Sequence, residues 1–211
     1  GFALFMTLGL IASLVLRVRI LGYLYQFDLP DDPSTAALSF VNNPLQTAPP
    51  LGRVLTALRV AVMGAGLLIF PWQLSADYSF NQIPVTLGWP TTADYGAIAF
   101  AILYLGLVYW TSRRFPVAFF GLTWAALSYL IVSNLLFPIG TIFGERLLYL
   151  PLVGFATLVA SGLTRLLDGG KRSRAFAMTL AAVMLGLAAV RFVARCDDWR
   201  DDETLFATPI K

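Results

Sequence analysis

Residues 115–144, FPVAFFGLTWAALSYLIVSNLLFPIGTIFG, form a run of 30 residues that contains no Asp, Glu, Lys or Arg. Roughly 20 apolar residues let a helix cross a bilayer, so this run is too long for one straight crossing. Asn134, Pro138 and Gly140 interrupt it and predict a span over Pro116 to Ser133, followed by an irregular re-entry. Non-helical backbone at membrane depth survives where protein buries it or where it lines a wet cavity. The break is therefore the first indication of a functional site.

The whole chain shares this apolar character, because 58% of its 211 residues are hydrophobic and only 13% are charged. Soluble domains average roughly 45–50% apolar and about 25% charged residues, so a soluble globular enzyme, a disordered chain and a disulfide scaffold are excluded. Stretches without charge predict an all-α, multispanning transmembrane bundle of about six helices. These stretches are Gly1 to Leu16, Val60 to Ala76, Tyr95 to Ser112, Phe115 to Gly144, Leu147 to Thr164 and Ala175 to Val190.

Two short basic loops orient the bundle. The loops Ser112 to Arg114 and Asp168 to Arg174 carry most of their charge as Arg and Lys, which the positive-inside rule places in the cytosol. By parity, residues 73–94, residues 134–147 and the tail from Arg195 then lie on the extracytoplasmic side. This arrangement predicts an integral protein of a bacterial inner membrane or of the endoplasmic reticulum.

The connection from Arg17 to Arg53 fits two topologies. Counting crossings places it inside, whereas it moves outside if Val54 to Trp72 is a re-entrant or interfacial segment. We divide the chain into a membrane domain, residues 1–194, and an extracytoplasmic juxtamembrane segment, residues 195–211. The first apolar run lacks an initiating Met and a basic n-region, so we interpret the chain as a piece of a longer protein.

Absent residue types narrow the chemistry. The chain has no His and a single Cys, Cys196, which excludes imidazole base catalysis, His ligation of a metal and an internal disulfide. We therefore predict no metal site. No Walker, Rossmann, paired-CxxC or zincin motif occurs. The net charge of +3 is too small to indicate nucleic acid binding once the loops claim most arginines.

The first candidate site is the segment 70–84, FPWQLSADYSFNQIP, where a span ends in aromatic residues. It offers Asp77, Tyr78 and Asn81 at the outer interface. Aromatic faces pack on sugar rings, and carboxylate and amide groups bind sugar hydroxyls with defined geometry. The alternative interpretation is an aromatic belt followed by a solvated loop.

The second candidate site is the segment 133–151, SNLLFPIGTIFGERLLYLP, which puts Glu145 and Arg146 between two apolar runs. Ionisable residues so near hydrocarbon indicate a functional site by default. Adjacent helical side chains point in different directions, so the two need separate partners. Asn134 and Tyr149 lie in the same segment as possible supporting contacts. The alternative is a structural pair that ties two helices together.

Two further segments favour structural roles. Residues 195–206, RCDDWRDDETLF, are typical of a juxtamembrane segment anchored by Trp199, with positioning of a following domain as the alternative. Residues 40–50, FVNNPLQTAPP, contain no ionisable group and predict a structural loop.

Four motifs in this order, VNNPL, FPW.LSADYSF.QIP, SNLLFPIGT..GERLLYLP and DWRDDETLF, resemble the transmembrane and tetratricopeptide-repeat (TMTC) family from about Leu24 to Phe206. The resemblance implies an O-mannosyltransferase of the GT-C type. Such an enzyme transfers mannose from a polyprenyl- or dolichyl-phosphate carrier to Ser or Thr of a protein outside the cytosol. The family's N-terminal half and its repeats are absent from the sequence, so we expect this part alone to be inactive.

This resemblance and the residues together predict a site. Glu145 and Asp77 act on sugar or acceptor as the catalytic carboxylates. Arg146 binds the carrier phosphate, because a guanidinium binds phosphate bidentately. The supporting substrate contacts are Tyr78, Asn81, Asn134 and Tyr149.

The predicted partners are the lipid bilayer, a lipid-linked sugar donor and a protein acceptor, with no nucleic acid and no certain cofactor. A non-catalytic membrane anchor or scaffold for a repeat domain is the second hypothesis. A small-solute transporter is the third, although transporters usually pair broken helices in two halves and only one break is visible here.

Overall fold

The computed structural model describes residues 40–71, 74–75, 78 and 82–198, with the side chains of 197 and 198 excepted. The first predicted span, Gly1 to Leu16, lies outside these residues, as does the whole of 199–211. Five α-helices make up most of the described chain: α1 Pro50–Ile69, α2 Thr92–Arg114, α3 Pro116–Val132, α4 Tyr149–Leu167 and α5 Lys171–Asp198. Two short 3₁₀ helices, Pro44–Gln46 and Glu145–Leu148, precede α1 and α4.

The described residues form no strand, and their helices are long and apolar enough to confirm a helical membrane bundle. Four helices could cross a membrane by length and composition, namely Pro50–Ile69, Thr92–Arg114, Glu145–Leu167 and Lys171–Cys196. The fifth, Pro116–Val132, is shorter and apolar. It matches the span predicted over Pro116 to Ser133, and irregular backbone follows it up to Gly144, as the Asn, Pro and Gly residues predict.

Local sequence explains the sharp corner between α2 and α3. Thr91 and Asp94 form a capping box that starts α2, and Arg113 and Arg114 lie in its last turn, where positive charge is favourable. Phe115 leaves the helical conformation, with φ −141° and ψ 75°, because the following residue is proline. Pro116 then begins α3 at the first position, where its missing N–H costs nothing.

The α3 and α4 helices pack antiparallel with their backbones in close approach. A Cβ atom added at Gly121 would lie 2.7 Å from the carbonyl oxygen of Gly154, and a Cβ added at Gly154 would clash with the carbonyl oxygen of Gly121. Close contact between small residues is the usual means of helix association inside membranes. Trp124 fixes the register, since its Nε1 donates to the Leu150 carbonyl at 3.1 Å.

Helices α2 to α5 run alternately up and down, so the bundle has two ends. We call one end the basic rim; it comprises the two tight turns between α2 and α3 and between α4 and α5. The Arg165 guanidinium lies 4.0 Å from the Phe115 ring and joins these turns. We call the other end the site rim; it comprises the start of α2, residues 133–148 and the last two turns of α5. The loops fall into the same two groups that the sequence predicts.

The boundaries of α1 correct the predicted span Val60 to Ala76. The helix begins ten residues earlier, at Pro50, and ends at Ile69. The predicted span was limited to residues without charge, so it could not include Arg59. In the structure Arg59 lies inside the helix because it pairs with Asp94 of α2, with Arg59 Nε 3.2 Å from Asp94 Oδ1. The α5 helix similarly extends from Lys171 to Asp198, so the predicted domain boundary after residue 194 falls inside a helix.

Two residues of α1 contact segments near the site rim. Near its start, the Thr56 hydroxyl accepts a 3.0 Å hydrogen bond from the Thr86 amide of the segment that leads into α2. Farther along, Gly64 lies against Phe143 and Leu148 of the re-entry. The interfacial alternative and the crossing both stay predictions for this segment.

Candidate functional site

Glu145 is the residue around which the site rim is organised. It opens the 3₁₀ turn that follows the extended Gly144, and its side chain is 29% exposed. Its Oε1 accepts hydrogen bonds from the Ser75 amide at 2.7 Å and from the Tyr78 hydroxyl at 3.2 Å. The structure thus brings together Glu145 and Tyr78, two predicted site residues that are 67 positions apart.

Tyr78 is a buried, neutral hydrogen-bond donor. Only 9% of it is exposed, and its ring packs nearly perpendicular to the Phe143 ring, with an interplanar angle of 84° and a centroid distance of 4.9 Å. Burial, followed by the nearby Glu145 charge, raises the pKa of Tyr78 to about 12. The hydroxyl therefore stays protonated at physiological pH and holds the carboxylate in one orientation.

Two arginines of α5 complete the cluster, and sequence reasoning missed both of them. Arg195 places Nη2 3.9 Å from Glu145 Oε2, and its Nη1 donates to the Leu74 carbonyl at 3.4 Å. Arg191 donates through Nε to the Pro71 carbonyl at 2.7 Å. The two arginines could have been found from their spacing of four residues, which puts both on one face of α5. The end of α5 that carries them lies at the site rim, as Glu145 does.

A pair of buried amides builds the re-entry. Asn43 and Asn134 are 0% and 1% exposed, and Asn43 Nδ2 donates to Asn134 Oδ1 at 2.8 Å. Asn134 Nδ2 in turn reaches the carbonyls of Thr141 and Ile142 at 3.2 and 3.1 Å. These bonds hold Asn134 within the re-entry, and its role as a substrate contact stays a prediction. Asn43 gives residues 40–50 the structural role that the sequence predicts.

The remaining predicted site residues are distributed differently. Arg146 is exposed at the site rim and forms no ion pair with any described residue. Tyr149 is 72% exposed, and neither side chain reaches the Glu145 carboxylate. Asp77 and Asn81 lie outside the described residues, on either side of Tyr78 in the sequence.

A second polar centre, around Asp94, was not anticipated. Its carboxylate is fully buried and accepts hydrogen bonds from the Thr86 and Thr91 hydroxyls and from the Thr91 amide at distances between 2.7 and 3.2 Å. Arg59 pairs with the same carboxylate and also donates to the Pro84 carbonyl. Because its carboxylate binds Arg59 of α1 as well as Thr86 and Thr91, this centre fastens α1 to the start of α2.

An apolar groove of about 560 Å³ lies between α1, α2, α3 and α4. It reaches Ser133 and Leu148 near the site rim, and Tyr104 closes one wall by donating its hydroxyl to the Leu122 carbonyl at 2.7 Å. Small side chains leave the space open, among them Ala61, Ala65, Ala97, Ala101, Ala125 and Ala126. Among the described residues, no group of three or more Cys, Asp and Glu side chains could hold a metal ion.

Comparison with known proteins shows which family this chain resembles. Residues 32–108 match the family described as protein O-mannosyl-transferase TMTC, DUF1736. Protein O-mannosyl-transferase TMTC4 of Mus musculus is 29% identical over 97% of this chain and 27% of its own length. Human TMTC4 is 31% identical over 70% of this chain and 20% of its own. Tmtc2 of Drosophila melanogaster is 38% identical over 47% of this chain and 11% of its own.

The chain thus spans about a quarter or less of the length of these curated relatives. No solved structure matches it. The matches reach both candidate segments, since the mouse relative aligns with nearly all of the chain. This chain belongs to the TMTC family.

Proposed function

We propose that this chain is part of a membrane-embedded glycosyltransferase. The enzyme transfers mannose from a polyprenyl- or dolichyl-phosphate carrier to Ser or Thr of a protein on the extracytoplasmic side of the membrane. The names of the relatives support the mannosyl group and the protein acceptor. The basic rim, with its Arg and Lys residues, supports a cytosolic position for that end and an extracytoplasmic position for the site rim.

The observation that carries this proposal is the position of Glu145. Its carboxylate lies at the site rim and is oriented by Tyr78 and by the Ser75 amide. Transfer from a lipid phosphate requires a carboxylate that accepts the acceptor hydroxyl's proton while an oxocarbenium-like sugar forms. Glu145 and Asp77, which lies between Ser75 and Tyr78 in the sequence, are the proposed carboxylates, and Asn81 is a proposed sugar contact.

Arg146 and Tyr149 contact the donor in this proposal. Arg146 is exposed beside Glu145 and pairs with no described acid, so it is available to stabilise the departing phosphate. Tyr149 is exposed at the start of α4, where an aromatic ring can contact the headgroup or the first isoprene units. The apolar groove reaches Leu148 and offers space for the lipid tail below this headgroup site.

Turnover of polyprenyl-phosphate mannose by the full-length protein tests the proposal. Arg146→Gln should reduce donor turnover by about 10- to 1,000-fold, as removal of a phosphate-stabilising cation does, and Glu145→Gln should reduce it similarly. The matched control is Arg172→Gln, which removes an exposed arginine at the basic rim. Wild-type turnover in the Arg146 and Glu145 variants would remove both residues from the site.

A membrane scaffold is the second candidate, and one observation favours it. The Glu145 carboxylate is bonded to Ser75 and Tyr78 and faces Arg195, an arrangement that also suits a structural joint between helices. A scaffold would show no mannose transfer in the wild type or in any variant. Glu145→Gln would then lower only the thermal stability.

A further inference from the structure

We propose that Arg195 and Arg191 are positioning residues that hold the backbone at Pro71, Leu74 and Ser75 in place beside Glu145. The end of α5 would thereby set the geometry of the site. The kinetic part of this proposal rests on the proposed function, whereas its structural part stands independently.

The first argument is how the segment is held. Between α1 and α2, the chain is not helical at Pro71, Leu74, Ser75 and Tyr78. The carbonyls of Pro71 and Leu74 accept from the α5 arginines, and the Ser75 amide donates to Glu145. Three successive backbone anchors thus come from side chains that lie 70 to 121 residues away in sequence.

The second argument is the chemistry of Arg195. Its planar guanidinium directs Nη1 to the Leu74 carbonyl and Nη2 towards Glu145 Oε2 at the same time. A lysine ammonium on a flexible stem carries the same charge but lacks this fixed fork. Arg195 therefore links the Glu145 carboxylate to the Leu74 backbone, and its side chain is largely buried, with 13% exposed.

The third argument is the place of these residues in α5. Arg191 and Arg195 lie in the last two turns of a helix that continues to Asp198. A tilt or shift of this helix end moves both anchors and, through them, the Ser75 amide and the Glu145 carboxylate.

Hydrogen exchange and kinetics on the full-length protein test the proposal together. In Arg195→Gln, amide exchange in the segment containing Ser75 should rise several-fold. The kcat for mannose transfer should fall about 10- to 100-fold, as expected when a catalytic group is displaced by about 1 Å, with the donor KM nearly unchanged. Arg195→Lys should recover part of both effects. Arg191→Gln should increase exchange near Pro71 and lower kcat less.

The matched control is Arg174→Gln, at the opposite end of α5. Its Nε also donates to a backbone carbonyl, that of Leu167 at 3.3 Å, so the variant removes the same kind of bond away from the site. It should change neither readout. In addition, Glu145→Gln combined with Arg195→Gln should be no slower than Glu145→Gln alone, because Arg195 acts through Glu145.

The outcomes separate the two proposals. Unchanged exchange at Ser75 in Arg195→Gln overturns the positioning role, and so does a fall in kcat without increased exchange, which would indicate direct contact with substrate. If the wild type transfers no mannose, the proposed function fails and the exchange data alone decide the positioning role. Where Arg195→Gln does not fold, Arg195→Lys and Arg191→Gln decide by the same readouts.

Discussion

Asn134 adopts a backbone conformation that most residues avoid. Its φ is 61°, and it is the only described residue other than glycine with a positive φ. Asparagine tolerates this region better than most side chains, and here its Oδ1 also accepts from the Ile139 amide at 2.8 Å. The sequence marks this position as a break, but only the fold shows that the amide's partners are Asn43 and the backbone of the re-entry.

Replacing Asn134 separates these contributions. Asn134→Ala should lower the free energy of unfolding by about 2–4 kcal/mol, because it strands the buried Asn43 amide and imposes φ strain. Asn134→Gly relieves the strain but not the lost bonds, so it should be intermediate. Thermal unfolding in detergent measures the stability of both Asn134 variants, and Leu136→Ala, at an exposed position, is the control. Equal melting of the Ala and Leu136 variants would contradict the structural role of the amide.

Tyr78 predicts a dependence on alkaline pH. Its pKa rises from about 10 to about 12 in the folded protein because of burial and the Glu145 charge. The neutral form is the one that folding favours, so this stabilisation is complete below pH 10 and is lost as pH rises through about 12. Tyrosinate absorbance should show a late-titrating group that Tyr78→Phe removes and Tyr149→Phe, at an exposed position, leaves in place. A titration unaltered by Tyr78→Phe would contradict the buried hydroxyl.

At the scale of helices, glycines set the spacing of α3 and α4. Gly154→Ala should lower the unfolding free energy by about 1–3 kcal/mol, because the added methyl group would meet the Gly121 carbonyl and the Ala125 side chain. Gly162→Ala in the same helix has open space around its Cβ and should be neutral or slightly stabilising. Melting temperatures of the two variants in the same detergent test this prediction. Equal values would show that α3 and α4 can move apart without loss of stability.

How well each helix could be predicted from sequence depended on where the partners of its charged residues lie. The α3 helix could be predicted nearly to the residue, because proline begins it and no charge lies within it. The start of α1 could not, because Arg59 is tolerated only through Asp94, which follows 35 positions later. Similarly, Glu145 and Tyr78 were recognisable as polar residues at a membrane interface, whereas Arg191 and Arg195 acquire a role only when α5 returns to the same rim.

At the scale of the whole molecule, the position of α1 decides how many times the described chain crosses the membrane. Single cysteines at Thr47, before α1, and at Gly88, after it, should both react with a membrane-impermeant thiol reagent from the same side. The control Gly170→Cys, at the basic rim, should react only after permeabilisation. These variants carry Cys196→Ser, since Cys196 is an exposed free thiol. Labelling of position 47 together with position 170 would show that α1 crosses.

If the labelling shows that α1 lies across one rim, helices α2 to α5 form two hairpins, and an even number of crossings returns the polypeptide to the side from which it left. Inserting, losing or duplicating such a pair of helices during evolution would not change the side of the membrane on which the flanking segments lie. The described part could therefore be exchanged between proteins as a cassette whose neighbours keep their compartment.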